Sequence, residues 1–253
     1  MKISDQVVLV TGSSRGLGKA IASAFNSEGA RLVVNGTDKD RVEAVAKEFN
    51  ALPYTADITQ PDQVRALFHA AEQHFKQPIT TVVNNALRYT FNGDGRSTLG
   101  QITWDEFHAQ ISGAVRGALN TTQAALPGFG QLRSGRIINI GSNLFQSPVV
   151  PYHDYVASKG ALLAFTRTAA VDLGGQGVTC NMVTGGLLSV TDASAATPKA
   201  VFDQIEAVTP LRKVTTPEDV AGAVLFFASP WCEFPIKIAA VCSEYTSKIQ
   251  GSS

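Results

Sequence analysis

The sequence predicts a single α/β domain built on a doubly wound parallel sheet with helices on both faces. Strand-like and helix-like segments alternate along most of the 253 residues. The strand-like segments are continuously apolar, which is typical of strands buried on both faces of a parallel sheet. Hydrophobic residues make up 44% of the chain and charged residues 17%, so the chain can build one large core. No repeat or low-complexity linker divides it, and we expect one domain over residues 1–253.

Three predicted helices separate four predicted strands in the first third of the chain. Apolar residues recurring at i, i+3, i+4 and i+7 identify the helices, as at Val42, Val45, Ala46 and Phe49. Short apolar runs identify the strands, of which the third is weak. The strands cover residues 7–10, 32–34, 54–56 and 79–83, and the helices cover residues 16–28, 40–49 and 61–75.

The same alternation continues up to residue 228. We expect helices over residues 104–126, 155–173 and 217–228 and strands over residues 136–140 and 178–183. Thr216 and Pro217 indicate the start of the last helix, because a hydroxyl can cap it and proline suits its first position. Residues 189–212 begin with small, polar side chains and predict a mobile substrate lid.

Charge and cysteine content exclude several classes of function. Lys plus Arg and Asp plus Glu both number 21, so no basic surface for nucleic acid or an anionic membrane is expected. No apolar run approaches the roughly 20 residues that span a bilayer. The polar start of the chain lacks the apolar core of a signal peptide, which predicts a cytoplasmic protein. Cys180, Cys232 and Cys242 show no metal-ligand spacing, so we expect reduced, mostly buried thiols and no metal.

A glycine-rich turn, residues 11–18, joins the first strand directly to the first helix. Gly12, Gly16 and Gly18 allow a tight turn and let the backbone approach a pyrophosphate closely. The start of the helix offers free N–H groups and the positive end of its dipole. The alternative is a purely structural turn, but the position after a first strand favours a Rossmann-type dinucleotide site.

Four motifs, taken in order, give the chain a family resemblance. The glycines are spaced G-x-x-x-G-x-G, and Asn84-Asn85-Ala86 follows the fourth strand. Ser142 follows the fifth strand, and Tyr155 and Lys159 form Y-x-x-x-K thirteen residues later. Together they resemble the short-chain dehydrogenase/reductase family, and within it the 3-oxoacyl-[acyl-carrier-protein] reductases. The likeness covers about residues 5–231.

Ser142, Tyr155 and Lys159 are the predicted catalytic residues. Tyr155 and Lys159 stand at i and i+4 of a helix and therefore share a face. A phenol has an unperturbed pKa of about 10, and a nearby ammonium lowers that pKa by stabilising the phenolate. Ser142 can hydrogen-bond a substrate oxygen, so the three could protonate a carbonyl oxygen as hydride reaches its carbon. Each residue alone would more simply be a solvated side chain or a cap.

The end of the second strand predicts NADP as the cofactor. NAD enzymes usually place an acid there to bind the ribose hydroxyls, and in this chain Gly36 stands at that position. Arg15 can pair with a 2′-phosphate, and the resemblance implies that Arg15 and Thr37 bind it. The alternative is that Arg15 is a solvated surface residue and NAD is the cofactor.

The resemblance implies further cofactor contacts at the ends of the strands. Asp57 and Ile58 resemble the pair that contacts adenine, although Asp57 could also cap the helix that starts at Pro61. The complete predicted set is Gly12, Ser14, Arg15, Gly16, Leu17, Gly18, Thr37, Asp57, Ile58, Asn84, Ala86, Tyr155, Lys159, Gly185, Gly186 and Leu188.

The chain departs from the family pattern at four places. Leu87 replaces a glycine, and Ala114 stands where the family has an asparagine that holds a proton-relay water. Thr184-Gly185-Gly186-Leu187-Leu188 stands where the family usually has Pro-Gly, and its two glycines allow a more flexible turn. Residues 232–253 differ from the family's last strand and tail, although residues 236–241 could still form a strand.

The resemblance implies an NADP-dependent oxidoreductase that reduces a carbonyl to an alcohol. A 3-oxoacyl thioester of fatty acid biosynthesis is one candidate substrate, and other small carbonyl compounds stay open. The alternative is a weakly active or non-catalytic nucleotide-binding protein of the same fold, which Ala114 and the unusual C-terminus favour.

The resemblance also implies a homo-oligomer. We expect a dimer through the long helices and a weakened or absent tetramer, because residues 232–253 alter the second family interface; persistence of the tetramer is the alternative. The candidate dimer contacts are apolar residues of the two helices: Ala118, Leu119, Leu162, Phe165 and Ala169.

Overall fold

A seven-stranded parallel sheet forms the centre of the protein, as the sequence predicts. The computed structural model describes residues 1–87, 97–191, 194–195 and 197–232 and the backbone of 239–241. The strand order is β3-β2-β1-β4-β5-β6-β7, with every adjacent pair parallel. The strands are β1 (Val7–Val10), β2 (Arg31–Gly36), β3 (Leu52–Thr55), β4 (Thr81–Asn84), β5 (Gly135–Ile140), β6 (Val178–Thr184) and β7 (Ala239–Val241).

Helices cover both faces of this sheet. Side chains of α1, α2 and α8 pack into one buried cluster, and those of α3, α5 and α6 pack into another on the opposite face. The helices are α1 (Gly16–Ser27), α2 (Lys39–Glu48), α3 (Pro61–Phe75), α4 (Trp104–Ile111), α5 (Gly117–Leu132), α6 (His153–Leu173), α7 (Lys199–Val208) and α8 (Pro217–Ala228). The predicted doubly wound α/β fold is therefore confirmed.

The central strands are buried on both faces, which explains their continuously apolar sequences. In β1, Val8 and Val10 face the first cluster, and Val7 and Leu9 face the second. All four are fully buried. Burial of a valine or leucine side chain contributes about 1.5–3 kcal/mol, so alternate residues of one strand hold both helical layers to the sheet.

The order of the strands determines where a ligand can bind. From β1 the chain moves outward to β2 and β3, and it then returns to place β4 on the other side of β1. Loops at the carboxyl ends of β1 and β4 therefore turn in opposite directions and leave a crevice between them. The predicted glycine turn lies at this crevice.

The edge strand β3 begins earlier than the sequence suggests. Residues 54–56 are the predicted strand, whereas the structure pairs Leu52–Thr55 with β2. Pro53 lies inside it, and a proline is tolerated there because an edge strand has one side without hydrogen-bonding neighbours. The alternately half-buried and exposed pattern of β3 also weakens the apolar signal.

The predicted helix over residues 104–126 is two helices joined by a π-helical turn. Ser112–Arg116 forms this turn between α4 and α5. The second helix also continues past Pro127 to Leu132, which the prediction missed because proline usually ends a helix. Proline lacks the N–H that would bond the carbonyl of Gln123, but Gln123 is exposed and water can replace that donor.

The predicted lid, residues 189–212, contains the helix α7, which the sequence did not predict. No residue of α7 is buried. Its apolar residues, such as Val201 and Val208, remain partly exposed. The small residues that precede α7 obscured its helical periodicity.

The C-terminal part of the chain keeps a last strand. Ala239–Val241 pairs with β6, which agrees with the expectation that residues 236–241 could form a strand. Residues 233–238 and 242–253, with Cys242 and most of the atypical C-terminus, lie outside the described residues.

Three of the predicted dimer contacts are buried within the chain itself. Ala118 and Leu162 pack together with Met182, and Ala169 lies in the core beneath α6. They cannot contact a second subunit, because they occupy the faces of α5 and α6 that pack against the sheet. Leu119 of α5 is exposed, as are Trp104 at the start of α4 and Val171 near the end of α6. A dimer through the outer faces stays a prediction.

Candidate active site

Three backbone segments meet at the crevice with no room for side chains between them. Gly12 has φ +65°, and a Cβ on it would lie 2.9 Å from the Cα of Ala86. A Cβ on Gly18 would lie 2.2 Å from the carbonyl oxygen of Gly12. The end of β1, the end of β4 and the first turn of α1 are therefore in direct contact, as the glycine spacing predicts.

Hydrogen bonds hold the glycine turn in this shape. The amide of Asn85 donates to the carbonyl oxygens of Thr11 at 3.0 Å and Gly12 at 3.3 Å. The Thr11 hydroxyl accepts hydrogen bonds from the backbone N–H groups of Asn85 and Ala86, each at 3.0 Å. Asn85 is absent from the predicted site residues, although its place beside Asn84 could have indicated it. The turn is preformed by the protein's own contacts.

The N-terminus of α1 faces the same crevice. Arg15 is its exposed capping residue, and no side chain forms a cap there. Gly16 has φ +51°, but no atom lies within 4 Å of the Cβ it would carry. The backbone therefore requires glycine at this position for its conformation, while the space beside it stays open. An uncapped helix start beside open space suits a phosphate group.

The end of β2 has no room for an acidic side chain facing the glycine turn. A Cβ on Gly36 would lie 2.9 Å from the Oγ of Ser14 and 3.1 Å from the Cγ2 of Val42. The nearest carboxylate along the chain, Asp38, accepts a hydrogen bond from the Arg41 backbone at 3.1 Å and caps α2. Thr37, between them, is exposed.

Asp57 and Ile58 follow β3, and each is held by other parts of the chain. The Asp57 carboxylate accepts hydrogen bonds from the backbone and hydroxyl of Thr59, at 2.9 and 2.7 Å. Asp57 does not cap α3, because the capping position is Gln60 and no side chain caps it. The Ile58 carbonyl accepts a hydrogen bond from Asn120 at 2.8 Å. Both residues are thus fixed at the strand end where an adenine contact is expected.

The remaining predicted cofactor contacts lie at the ends of β4 and β6. The side chain of Asn84 is engaged inside the core, so any contact from it would be through its backbone. The Gly185 carbonyl accepts a hydrogen bond from the Asn143 backbone at 3.0 Å. Gly186 and Leu188 follow it and are half-buried. Leu17, the second residue of α1, is partly buried and packs against the core cluster beneath α1 and α8.

The three predicted catalytic residues lie around the end of β5. The Lys159 ammonium donates a 2.7 Å hydrogen bond to the carbonyl of Ile140, the last residue of β5. The same nitrogen lies 5.8 Å from the centre of the Tyr155 ring. Ser142 follows Ile140 by two residues, is buried, and accepts a hydrogen bond from the Leu144 backbone at 3.3 Å. One strand end thus positions a hydroxyl and an ammonium, with a phenol beside the ammonium.

Burial lowers the pKa of Lys159 to about 8. The side chain is only 4% exposed, and removal from water disfavours its charged form. A lysine with this pKa can give up and regain a proton near neutral pH. Lys159 can therefore stabilise a neighbouring phenolate as an ammonium and can also exchange protons with it.

The π-helical turn between α4 and α5 contains Ala114. Ala114 and Gly113 are both buried within it. Gln110, one turn earlier, is buried as well, and its amide nitrogen has no hydrogen-bond partner among the described residues. This buried amide could not be predicted from the sequence, because a single glutamine on a largely exposed helix carries no periodic signal.

No metal site and no membrane-spanning helix occur in the described parts of the chain. Within residues 1–87, 97–191 and 197–232, no helix is long and apolar enough to cross a bilayer. The same residues contain no group of three His, Cys, Asp or Glu that could hold a metal. Cys180 and Cys232 are free and buried, and burial raises the pKa of the Cys180 thiol to about 12.

Comparison with known proteins gives matches over most of the chain. A family model described as Enoyl-(Acyl carrier protein) reductase matches residues 12–235. The 3-oxoacyl-[acyl-carrier-protein] reductase FabG of Thermotoga maritima is 29% identical over 90% of this chain and 92% of its own length. The NADPH-dependent aldehyde reductase 2, chloroplastic, of Arabidopsis thaliana is 30% identical over 90% of this chain and 88% of its own.

Two further matches concern the family and the fold. A Short-chain type dehydrogenase/reductase of Picea abies is 32% identical over 90% of this chain and 87% of its own. Among solved structures, a chain from Agrobacterium tumefaciens described as a gluconate dehydrogenase superposes with a TM-score of 0.87. It is 24% identical, and the match covers 95% of each chain, so it supports the fold alone.

The buried ammonium of Lys159 should make stability depend on pH in a specific way. Above pH 8 the folded protein releases the Lys159 proton, whereas the unfolded chain keeps it up to about pH 10.4. The unfolded state then binds more protons, so rising pH stabilises the fold across this window. Urea unfolding of wild type and Lys159→Met should show the wild type gaining about 2–3 kcal/mol relative to the variant between pH 7 and 10.5.

The control for this measurement is Lys47→Met, which removes an exposed lysine of α2. Its unfolding free energy should stay parallel to that of the wild type over the same pH range. If the Lys159→Met curve were also parallel to the wild-type curve, burial would not shift the pKa of Lys159.

Proposed function

The chain belongs to the short-chain dehydrogenase/reductase family, and from that premise we propose that it is an NADP-dependent reductase that converts a carbonyl to an alcohol. The observation that carries the proposal is the placement of Ser142, Tyr155 and Lys159 around the end of β5. This end lies at the same edge of the sheet as the preformed glycine turn. Fold alone would not support a reaction, but this set of side chains does.

Ser142, Tyr155 and Lys159 have different roles in the transfer of the proton. The nicotinamide group supplies hydride to the carbonyl carbon when the cofactor is bound. Ser142 hydrogen-bonds the carbonyl oxygen, and the Tyr155 phenol gives its proton to that oxygen as negative charge develops there. The Lys159 ammonium stabilises the phenolate that remains and returns a proton to it. The substrate gains one hydride and one proton, which completes an alcohol.

The crevice fits a dinucleotide with a phosphorylated ribose. The open space beside Gly16 and the uncapped start of α1 suit the pyrophosphate. The crowding of Gly36 against Ser14 leaves no place for the acid that usually binds unmodified ribose. Arg15 and Thr37 are both exposed at this edge and would hold the 2′-phosphate. NAD binding, with Arg15 as a surface residue, is the second reading.

The proposed substrate class is small carbonyl compounds, with 3-oxoacyl thioesters as the first candidate. Relatives named as 3-oxoacyl-[acyl-carrier-protein] reductases and as an NADPH-dependent aldehyde reductase support this class. The proposed lid, residues 189–212, follows β6 and precedes α8 in the chain and includes α7, and we propose that it selects the substrate. A role in fatty acid biosynthesis, a cytoplasmic location and a homodimer through the long helices stay predictions.

The second candidate function is a nucleotide-binding protein with weak or no catalytic activity. Ala114 favours it, because an alanine side chain cannot hold the relay water that the family's asparagine holds. The intact catalytic residues oppose it. The two functions differ in whether NADPH is oxidised in the presence of a carbonyl compound.

The main test measures NADPH oxidation against 3-oxoacyl thioesters, ketones, aldehydes and sugars. Tyr155→Phe keeps the ring and removes the acidic hydroxyl, so turnover should fall by about 10²–10⁴-fold while NADPH affinity stays near that of the wild type. Tyr54→Phe, in the edge strand β3, is the control and should retain activity. Substantial turnover by Tyr155→Phe would show that another group supplies the proton.

Arg15→Ala tests the choice of cofactor. Loss of a charge-assisted contact to the 2′-phosphate should weaken NADPH binding by about 1.5–3 kcal/mol and leave NADH binding nearly unchanged. Fluorescence titration with both cofactors measures this. Arg65→Ala, on the exposed face of α3, serves as control. An equal loss for NADPH and NADH would contradict the NADP assignment.

Ala114→Asn tests the proton relay. Ala114 already lies in a π-helical turn, so the backbone bulge that would accommodate an asparagine is present. A restored relay water should raise kcat, most visibly where reprotonation of Tyr155 limits the rate. Ala114→Val controls for side-chain volume. If Ala114→Asn left the rate unchanged across the pH profile, another group would already complete the relay.

A further inference from the structure

Four buried polar side chains form one continuous hydrogen-bonded chain through the core, which we call the polar strap. It consists of Thr121 on α5, Asn84 on β4, Asn139 on β5 and Thr166 on α6. The Thr121 hydroxyl lies 2.6 Å from Asn84, the Asn84 amide lies 2.8 Å from Asn139, and the Asn139 amide lies 2.9 Å from Thr166. All four are buried, and the most exposed of them, Asn84, is only 6% accessible.

The polar strap has a defined direction and ends on α6. The Thr166 hydroxyl donates to the Leu162 carbonyl at 2.7 Å, so its oxygen is left to accept from the Asn139 amide. The Asn139 carbonyl oxygen accepts from Asn84, which in turn accepts from Thr121. These side chains satisfy one another in sequence. Because buried polar groups are costly when unpaired, the arrangement resists sliding or rotation of α6.

The polar strap joins α6 to β5 directly below the catalytic lysine. Asn139 precedes Ile140, whose carbonyl accepts the hydrogen bond from Lys159. Thr166 follows Lys159 by seven residues, which is two helical turns, so both side chains lie on one face of α6. Two hydrogen bonds therefore tie this face to β5 at points about 10 Å apart along the helix.

Apolar contacts and the two hydrogen bonds act together on α6. The buried cluster at this level consists of Ala118, Leu162 and Met182, with Leu163 and Phe165 of α6 packed against it. Because apolar packing is non-directional, the hydrogen bonds define the rotation of the helix more sharply. A rotation of about 20° moves an atom about 6 Å from the helix axis by roughly 2 Å. Such a shift would break the bond from Lys159 to Ile140 and alter the distance from Lys159 to the Tyr155 ring.

We propose that Thr166, held by Asn139, is a positioning residue that sets the rotation of α6 and thereby places Lys159 beside Tyr155. This inference rests on the proposed function, in which the Lys159 ammonium stabilises the Tyr155 phenolate. Neither Thr166 nor Asn139 touches the substrate or the cofactor in this account. Their hydrogen bond acts only through the position of Lys159.

The structure offers closely matched variants for a test. Thr166→Val keeps the shape of the side chain and removes the oxygen that accepts from Asn139. Thr166→Ser keeps that oxygen and loses a methyl group. Thr168→Val removes an exposed hydroxyl from the same helix. Thr122→Val removes a buried hydroxyl of α5 that has no hydrogen-bond partner among the described residues.

Two measurements separate positioning from simple loss of stability. The first is kcat and KM for the best substrate, together with the melting temperature of each variant. The second is an ultraviolet titration of the Tyr155 phenol, taken as the difference between each protein and its own Tyr155→Phe counterpart. The titration needs no substrate, so it tests the inference even if the wild type reduces none of the carbonyl compounds and the proposed function fails.

In Thr166→Val we expect kcat to fall by about tenfold to a hundredfold with little change in KM. We expect the Tyr155 phenol to ionise at a higher pH, because the ammonium no longer lies close to it. Thr166→Ser, Thr168→Val and Thr122→Val should match the wild type in both measurements. If Thr166→Val does not fold, Thr166→Cys replaces it, since a thiol is a weak partner for the amide.

Three results would overturn the inference. The first is a folded Thr166→Val protein with wild-type kcat and an unchanged phenol titration. The second is a lower melting temperature as the sole change, which would make the polar strap purely structural. The third is a Thr166→Ser protein as impaired as Thr166→Val, which would show that packing of the methyl group matters and the hydrogen bond does not.

Discussion

The direct backbone contact between the ends of β1 and β4 and the start of α1 is the constraint on which the site depends. A Cβ at Gly12 or Gly18 would lie within 2.9 Å of another segment's backbone, so these segments can meet only because side chains are absent. Asn85 and Thr11 then hold the contact through hydrogen bonds. The result is a crevice with an uncapped helix start on one side and the end of β5 on the other, formed before any ligand binds.

The chemistry of the site has a cost in stability that the surrounding structure offsets. Burial of Lys159 lowers its pKa to about 8, because removal from water disfavours the charged form. The hydrogen bond from Lys159 to the Ile140 carbonyl offsets part of the cost of burying the ammonium. The hydrogen bond from Asn139 to Thr166 attaches the same helix to β5. A solvent-exposed lysine would destabilise the fold less, but with an unperturbed pKa of about 10.4 it would stay protonated near neutral pH. In the proposed arrangement, the core hydrogen bonds of the polar strap hold α6 against β5 and so keep the Lys159 side chain in its buried position.

The elements with a regular apolar pattern, and the turn marked by glycines, could be predicted from the sequence. Apolar runs identified β1 and β6, and helical periodicity identified α2 and α3. The order of the motifs identified Ser142, Tyr155 and Lys159 as one set, and these residues lie around one strand end. The sequence did not predict the π-helical turn around Ala114, which lies within one continuous helical pattern, or the continuation of α5 past Pro127, because proline usually ends a helix. The polar strap could not be predicted either, because its four residues are distant in sequence and come together only when the sheet forms.

The transfer of deuterium from the cofactor to the product tests the central claim most directly. The protein would be incubated with NADPH deuterated at the transferable position of the nicotinamide and with a carbonyl substrate from the panel, and the alcohol would be analysed by mass spectrometry. The central claim predicts one deuterium on the carbinol carbon of the product, and about 10²–10⁴-fold less of this product from Tyr155→Phe in the same time. Alcohol formed without deuterium at that carbon, or no alcohol from any carbonyl compound, would contradict it.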